Sequence, residues 1–171
     1  MRSVLPVLLI ASAVASAAPQ PAVTSAYTTL DLGKCTIVAE DKETRQFATW
    51  RCKGYGGVPL FVQIDDERFD LDAGQVNQDG LWSDTFDEQP RTVEWRLNKG
   101  KPFAIIYRLT VANSDVPKTS RLKVESVGNL KDKAKFGCRI ADIDGAAPRA
   151  NELARAAADG LLTKQATCIE G

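Results

Sequence analysis

Residues 92–111 read T-V-E-W-R-L-N-K-G-K-P-F-A-I-I-Y-R-L-T-V. Val93, Trp95 and Leu97 alternate with Glu94 and Arg96. After a break, the odd positions Phe103, Ile105, Tyr107, Leu109 and Val111 continue the pattern. Alternation at period two marks a half-buried strand, so the stretch predicts a β-hairpin. Its pairing follows from the faces, because a one-residue slip sends a strand's apolar set to the wrong side. A two-residue turn at Lys99-Gly100 would set Trp95 opposite Ala104 and Arg96 opposite Phe103, mixing the faces. An odd loop sets Leu97 opposite Phe103, Trp95 opposite Ile105 and Val93 opposite Tyr107. The pattern therefore predicts a five-residue loop over 98–102, which also keeps Pro102 out of the ladder, where its missing N–H would cost a bond. Glu94, Arg96 and Arg108 then share the opposite, polar face. Glu94 and Arg108 are diagonal neighbours, near enough for a surface ion pair worth about 0–1 kcal/mol.

Further strands extend outward from this hairpin. Residues 34–39 and 47–53 read as antiparallel neighbours around the polar turn 40–45. Residues 60–65 and 68–72 form another hairpin with Asp66-Glu67 near its turn. Residues 120–127 make a strand with Leu122 and Val124 inward and Arg121, Lys123 and Glu125 outward. The last strand, 136–143, places Phe136, Cys138 and Ile140 on one face. The period then changes to that of a helix: Ala150, Leu153, Ala154, Ala157 and Leu161 form a stripe. Pro148 suits its first turn and Gly160 its C-cap. Glu152 and Arg155 are spaced to pair on its exposed side. The fold class is mainly β: a small antiparallel sandwich or curved sheet of about eight strands with one C-terminal helix and two disulfides.

The start of the chain has a different character. Arg2, the apolar run 4–14 and the small residues Ala15-Ser16-Ala17 have the form of a signal peptide over residues 1–17. The apolar run is shorter than the roughly 20 residues that span a bilayer. Of 171 residues, removal of 17 leaves 154, enough for one domain with a core. The domains expected are thus the leader, a flexible lead-in at 18–26 and a single disulfide-stapled domain over 27–171. Removing Arg2 takes the 22 basic side chains to 21 against 22 acidic ones, a net charge of −1. That balance gives no overall field for nucleic acid or anionic lipid. The expected location is the periplasm or the exterior, with no membrane insertion after the leader is removed.

Four cysteines in an exported chain imply two disulfides, and four allow three pairings. Cys35–Cys52 with Cys138–Cys168 is favoured, because each pair lies within one end of the chain. On the chain-entropy model these loops are worth roughly 3 and 3.5–4 kcal/mol.

Residues 53–59, K-G-Y-G-G-V-P, carry three glycines in four positions. Such a loop can present N–H groups to an anion. It matches no phosphate-loop or dinucleotide pattern, and a tight connection between strands is its favoured role. Gly54, Tyr55, Gly56 and Gly57 form a candidate contact loop with Tyr55 at its tip. The acidic passage after it holds Asp70, Asp72, Asp79, Asp84, Asp87 and Glu88, which raises the question of calcium. The EF-hand alignment fails, because Gln75 and Phe86 would occupy positions that need acids. A solvated turn region is favoured, with Trp82 and Phe86 entering the core or capping its edge. No metal and no cofactor are expected.

The chain has no histidine. That removes Ser-His-Asp and Cys-His nucleophiles, histidine bases and common zinc sites. A Ser120–Lys123 pair has the S-x-x-K spacing, but on a strand its members point to opposite faces. Carboxylate catalysis needs two acids across a cleft, and no isolated acid stands in an apolar run.

W-R-C-K-G-Y-G-G-V-P-L at 50–60, E-W-R at 94–96, K-P-F-A-I at 101–105 with Arg108, and N-E-L-A-R-A-A-A-D at 151–159 resemble segments of a group of uncharacterised exported proteins of Gram-negative bacteria. The resemblance spans most of the chain after the leader. It implies periplasmic placement and one compact domain, and it carries no catalytic residue and no ligand. The function expected is a non-enzymatic binding or accessory module whose ligand and partner are unknown, a periplasmic protein being the partner considered. A small exported inhibitor of a cell-wall hydrolase, using the 54–57 loop or the Asp65–Glu67 turn, is the first alternative. A carboxylate-dependent polysaccharide hydrolase is the second.

Overall fold

A computed structural model describes residues 23–44, 46–77, 81–83, 87–111, 119–129 and 136–169, without the side chains of Asp87 and Val111. In chain order its strands are β1 (Val23–Thr29), β2 (Thr36–Glu40), β3 (Phe47–Tyr55), β4 (Val58–Asp65), β5 (Arg68–Ala73), the two-residue β6 (Asp87–Glu88), β7 (Thr92–Asn98), β8 (Lys101–Val111), β9 (Ser120–Ser126) and β10 (Arg139–Asp144). They are followed by helix α1 (Ala150–Asp159) and the 3₁₀ turn Gly160–Thr163. Strands β1-β7-β8-β9-β10 form one antiparallel sheet, with β6 added against the end of β8. Strands β2-β3-β4-β5 form the other. The mainly β fold with one C-terminal helix is the one the periodicities predict. The expected signal peptide, residues 1–17, lies outside the described residues.

The central hairpin keeps Trp95 opposite Ile105 and Val93 opposite Tyr107, as the apolar alternation requires. Its turn differs from the expected five-residue loop. Asn98 pairs with Lys101, leaving only Lys99 and Gly100 between them, at φ 50° and 77°. Two positive φ angles are what a tight hairpin turn needs. The odd residue required by the faces is supplied instead by a bulge: Leu97 pairs with Pro102 and Arg96 with Ala104, so Phe103 is extra. Parity therefore switches at Phe103, which packs on the helix side of the sheet rather than opposite Leu97. Pro102 lies within the strand, at the bulge, where proline is tolerated.

The second departure concerns layers. The space between the sheets holds Leu60, Val62, Leu71, Val93, Trp95, Ile105 and Tyr107, all 2% exposed or less. A second core lies between the larger sheet and α1, with Ala104, Ile106, Leu122 and Val124 facing Ala150, Ala154 and Ala158. The larger sheet is thus buried on both faces, which makes the run 103–107 apolar without interruption. The alanine face gives α1 little bulk and lets it lie close to the sheet. Leu153, expected in the buried stripe, is 49% exposed, and Ala158 takes its place. Gly160 stays in right-handed geometry and the chain runs on into the 3₁₀ turn, which Lys164 ends at φ 57°. Glu152 pairs with Arg149, not with Arg155.

Both expected disulfides are present. Cys35–Cys52 ties the approach to β2 onto β3, and Cys138–Cys168 ties the tail to the start of β10. The tail also donates the Ile169 N–H to the Arg139 carbonyl at 2.8 Å, so it covers part of an otherwise open strand edge. Two boundaries move. Residues 23–26, expected in a flexible lead-in, belong to β1 and pair with β7. The last strand begins at Arg139, and Phe136, expected inward, is 56% exposed. Trp82 is half-buried, while Phe86 lies outside the described residues. Among the described residues no helix is long and apolar enough to cross a membrane.

Candidate functional site

The glycine-rich connection of β3 and β4 is built by two different constraints. Tyr55 pairs with Val58, so Gly56 and Gly57 alone make the turn, at φ 59° and 84°. Gly54 is required by space instead: a Cβ there would stand 2.1 Å from the Val58 carbonyl oxygen and 2.9 Å from the Trp95 ring. A bulge between Cys52 and Tyr55 brings the backbone this close. Tyr55, expected at an exposed tip, is half-buried with its ring centroid 6.3 Å from that of Trp95. The aromatic ring is spent on the core, and the turn presents backbone.

Beside this turn lies an open groove of about 400 Å³. Cys52, Val58 and Pro59 supply apolar lining, and Lys34, Thr36, Arg51 and Lys53 the polar walls, with Gly54, Gly56 and Gly57 along the rim. Arg51 lies opposite Thr36 across the β2–β3 ladder. The Cys35–Cys52 bridge holds Lys34 next to that pair. Lys34 has Asp31 at 2.9 Å on the surface. Among the described residues Arg51 and Lys53 have no carboxylate within 4.0 Å. A second turn abuts the first: a Cβ on Gly56 would lie 3.7 Å from the Pro102 ring. It carries the exposed Lys99 and Lys101, which also lack a carboxylate partner among the described residues. One end of the sandwich therefore concentrates positive charge that no carboxylate among the described residues pairs with, Asp31 beside Lys34 excepted. Turn amides and guanidinium N–H groups together are donors suited to carboxylate, sulfate or phosphate oxygens.

The other expected polar face serves α1. Glu94 accepts from Arg155 Nε at 2.7 Å and from the Ser25 hydroxyl at 2.6 Å. Arg96 makes a bidentate pair with Asp159, at 3.0 and 2.7 Å. Arg108 donates to Ser120 Oγ at 2.7 Å and to Asn151 Oδ1 at 3.1 Å. The expected Glu94–Arg108 ion pair is absent, because the helix lies over this face and offers each residue its own partner. Ser120 lies on this helix side, whereas Lys123 pairs with Asp142, so the two lie on opposite faces of β9. Asp66 and Glu67, at φ 48° and 63°, form the tight β4–β5 turn at the end of β4 away from the groove.

A buried polar cluster was not legible beforehand. Glu125, expected outward, is 1% exposed. It accepts from the Tyr107 hydroxyl at 2.8 Å and from Arg139 Nε at 2.7 Å. Arg139 also donates to the Leu81 carbonyl at 3.0 Å and stands 3.5 Å from Asp70. The one clue was Tyr107 itself, since a buried phenol seeks a hydrogen-bond partner. Burial raises the Tyr107 hydroxyl's pKa, so it remains a donor.

Burial pushes the Glu125 carboxyl from 4.5 up to about 7, with Arg139 opposing the shift and Asp70 adding to it. A folded-state value above the unfolded one means that the Glu125 contribution to stability is fully present below about pH 4.5. It is lost as the pH rises through about 7. Asp142 does not overlap this window. Burial raises its carboxyl, but Lys123 and Arg121 hold it below the ordinary value. The chain has no histidine to obscure the effect. Denaturation midpoints are therefore expected to fall between pH 5 and pH 8, by at most about 1.4 kcal/mol per pH unit. Glu125→Gln should flatten that profile, and a flat profile in the unmodified protein contradicts the assignment. The carboxyl is enclosed by Tyr107, Arg139 and Asp70, out of hydrogen-bond reach of any ligand in the groove, and so is unsuited to general acid chemistry there.

Asp70 and Asp72, two of the acids considered for calcium, take Gln63 Nε2 at 3.5 and 3.2 Å, and Asp72 also accepts from the Asn77 N–H at 3.0 Å. Asp79, Asp84 and the Asp87 side chain lie outside the described residues. Among the described residues no cluster of three or more acids or cysteines could hold a metal ion. Set against protein-family models, curated proteins and solved structures, the chain matches none of them.

Proposed function

We propose that the protein is an exported, non-enzymatic binding module whose ligand is anionic. One observation carries this reading: Arg51 and Lys53 converge with Lys34 on a double-glycine turn and have no carboxylate partner among the described residues. Three of the more buried cations are matched, Arg96 by Asp159, Arg139 by Glu125 and Arg155 by Glu94. A pair of cations left unmatched beside open backbone donors costs little in water and gains when an anion arrives. Two disulfides support an oxidising compartment. The signal-like residues 1–17 and the resemblance to exported Gram-negative proteins support the periplasm.

Calorimetric titration with a galacturonic acid trimer tests the reading. Charge-assisted contacts are worth about 1.5–3 kcal/mol each, so Arg51→Gln with Lys53→Gln is expected to weaken binding by at least about tenfold. Unchanged affinity in the double variant rejects the groove. The two adjoining cation-bearing turns also favour a second reading, an inhibitor that enters the carboxylate-lined cleft of a cell-wall hydrolase. Undiminished lysozyme activity at micromolar protein rejects it.

A further inference from the structure

We infer that the ligand is a linear anionic polysaccharide that runs from the groove onto the β7–β8 turn. The inference rests on the reading that the groove binds anions, and it names the class of anion. Three observations carry it. The first is continuity. A Cβ on Gly56, at the rim of the groove, would lie 3.7 Å from the Pro102 ring, so the β7–β8 turn that carries Lys99 and Lys101 stands next to the turn that borders the groove. Both turns are two-residue hairpin connections with positive φ, which fixes the four cations Arg51, Lys53, Lys99 and Lys101 on rigid supports. A single small anion would use only the groove and leave the second turn idle. A chain of acidic units uses both.

The second observation is that no aromatic ring among the described residues lines the groove. Nucleic-acid strands are held on exposed aromatic rings as well as on cations. Tyr55, the aromatic residue of this turn, leans on Trp95 inside the sandwich. The third is that no exposed large apolar side chain among the described residues lines the groove. Protein partners are held by buried aromatic and aliphatic hot spots. The exposed large apolar residues, among them Tyr27, Ile37, Val38 and Phe136, do not line the groove. What remains is charge with hydroxyl and amide hydrogen bonding, from Thr36 and the glycine backbone. Sugar acids match both: their carboxylates pair with Arg and Lys, and their hydroxyls bond the rest.

The test compares galacturonic acid trimers and dodecamers on the full disulfide-bonded protein. The dodecamer is expected to bind at least about tenfold more tightly, after allowance for the frames in which a trimer-length site fits the longer chain, and with a steeper salt dependence. Lys99→Gln with Lys101→Gln should abolish that advantage and leave trimer affinity unchanged. Arg51→Gln with Lys53→Gln should weaken both probes. If trimers bind and respond to the Arg51 and Lys53 changes but length confers nothing, the polymer inference falls and the anion groove stands. If the Arg51 and Lys53 changes do not affect the trimer, the groove reading itself falls. Binding of single-stranded oligothymidine as tight as that of the dodecamer overturns the polysaccharide assignment.

Discussion

Arg139→Met is expected to destabilise the protein by about 3–5 kcal/mol at pH 8, the cost of leaving a buried charge without its partner. Arg139 reaches Glu125 Nε-to-oxygen at 2.7 Å, and the two side chains are 5% and 1% exposed. Methionine fills similar space but cannot donate, so Glu125 must either remain charged in the interior or take a proton. The choice makes the loss depend on pH. At pH 5 a protonated Glu125 keeps its hydrogen bond with Tyr107, and the loss should be smaller. Asp70, 3.5 Å from the guanidinium, adds to the uncompensated charge at the higher pH. Combining Arg139→Met with Glu125→Gln should recover a large part of the stability, because it removes the charge that the first change stranded. Urea denaturation of the three variants at both pH values measures this. A loss below about 1 kcal/mol at pH 8 would show that the pair contributes no more than an exposed one.

Trp95→Ala is expected to cost a similar amount, about 3–5 kcal/mol, by a different route. Trp95 is fully buried between the sheets, and its indole N–H donates to Thr28 Oγ1 at 2.9 Å. Truncation leaves a cavity and strands the Thr28 hydroxyl. It also removes the surface on which Gly54 and Tyr55 rest, so the β3 bulge loses the wall that places the turn. Trimer affinity should therefore fall in Trp95→Ala even at temperatures where the variant is folded. Trp95→Phe keeps most of the volume and should lose less of both. Full trimer affinity in folded Trp95→Ala would separate the groove from the core beneath it.

These two residues mark the limits of what local sequence conveys. Trp95 was readable as core because its neighbours alternate apolar and polar at period two. Glu125 sits in an alternation of the same kind, R-L-K-V-E, and was read as facing solvent. The difference is that β9 belongs to a sheet covered on both faces, by the second sheet and by α1. Alternation reports two distinct faces and not which of them is wet. Phe103 shows another limit. The faces demanded an odd residue in the hairpin, and a loop or a bulge satisfies that demand equally well, so parity was legible and its location was not. The weak strand β1 was missed for a related reason: V-T-S-A-Y-T-T takes its place by pairing with β7 and has little pattern of its own.

The mainly β class, the hairpins of the 60–72 and 92–111 stretches, the C-terminal helix and the favoured disulfide pairing were legible in the sequence itself. Each depends on spacing within a short stretch, where backbone geometry permits few answers. The glycine turn was legible in the same way, as a tight connection between strands. Only the tertiary structure decided which charges are buried and which remain free. It took Glu94 and Arg96 out of solvent by laying α1 across them, and it brought Lys34, Arg51 and Lys53 to one groove. Contacts between residues tens of positions apart are fixed by how whole faces pack, and no local period encodes that.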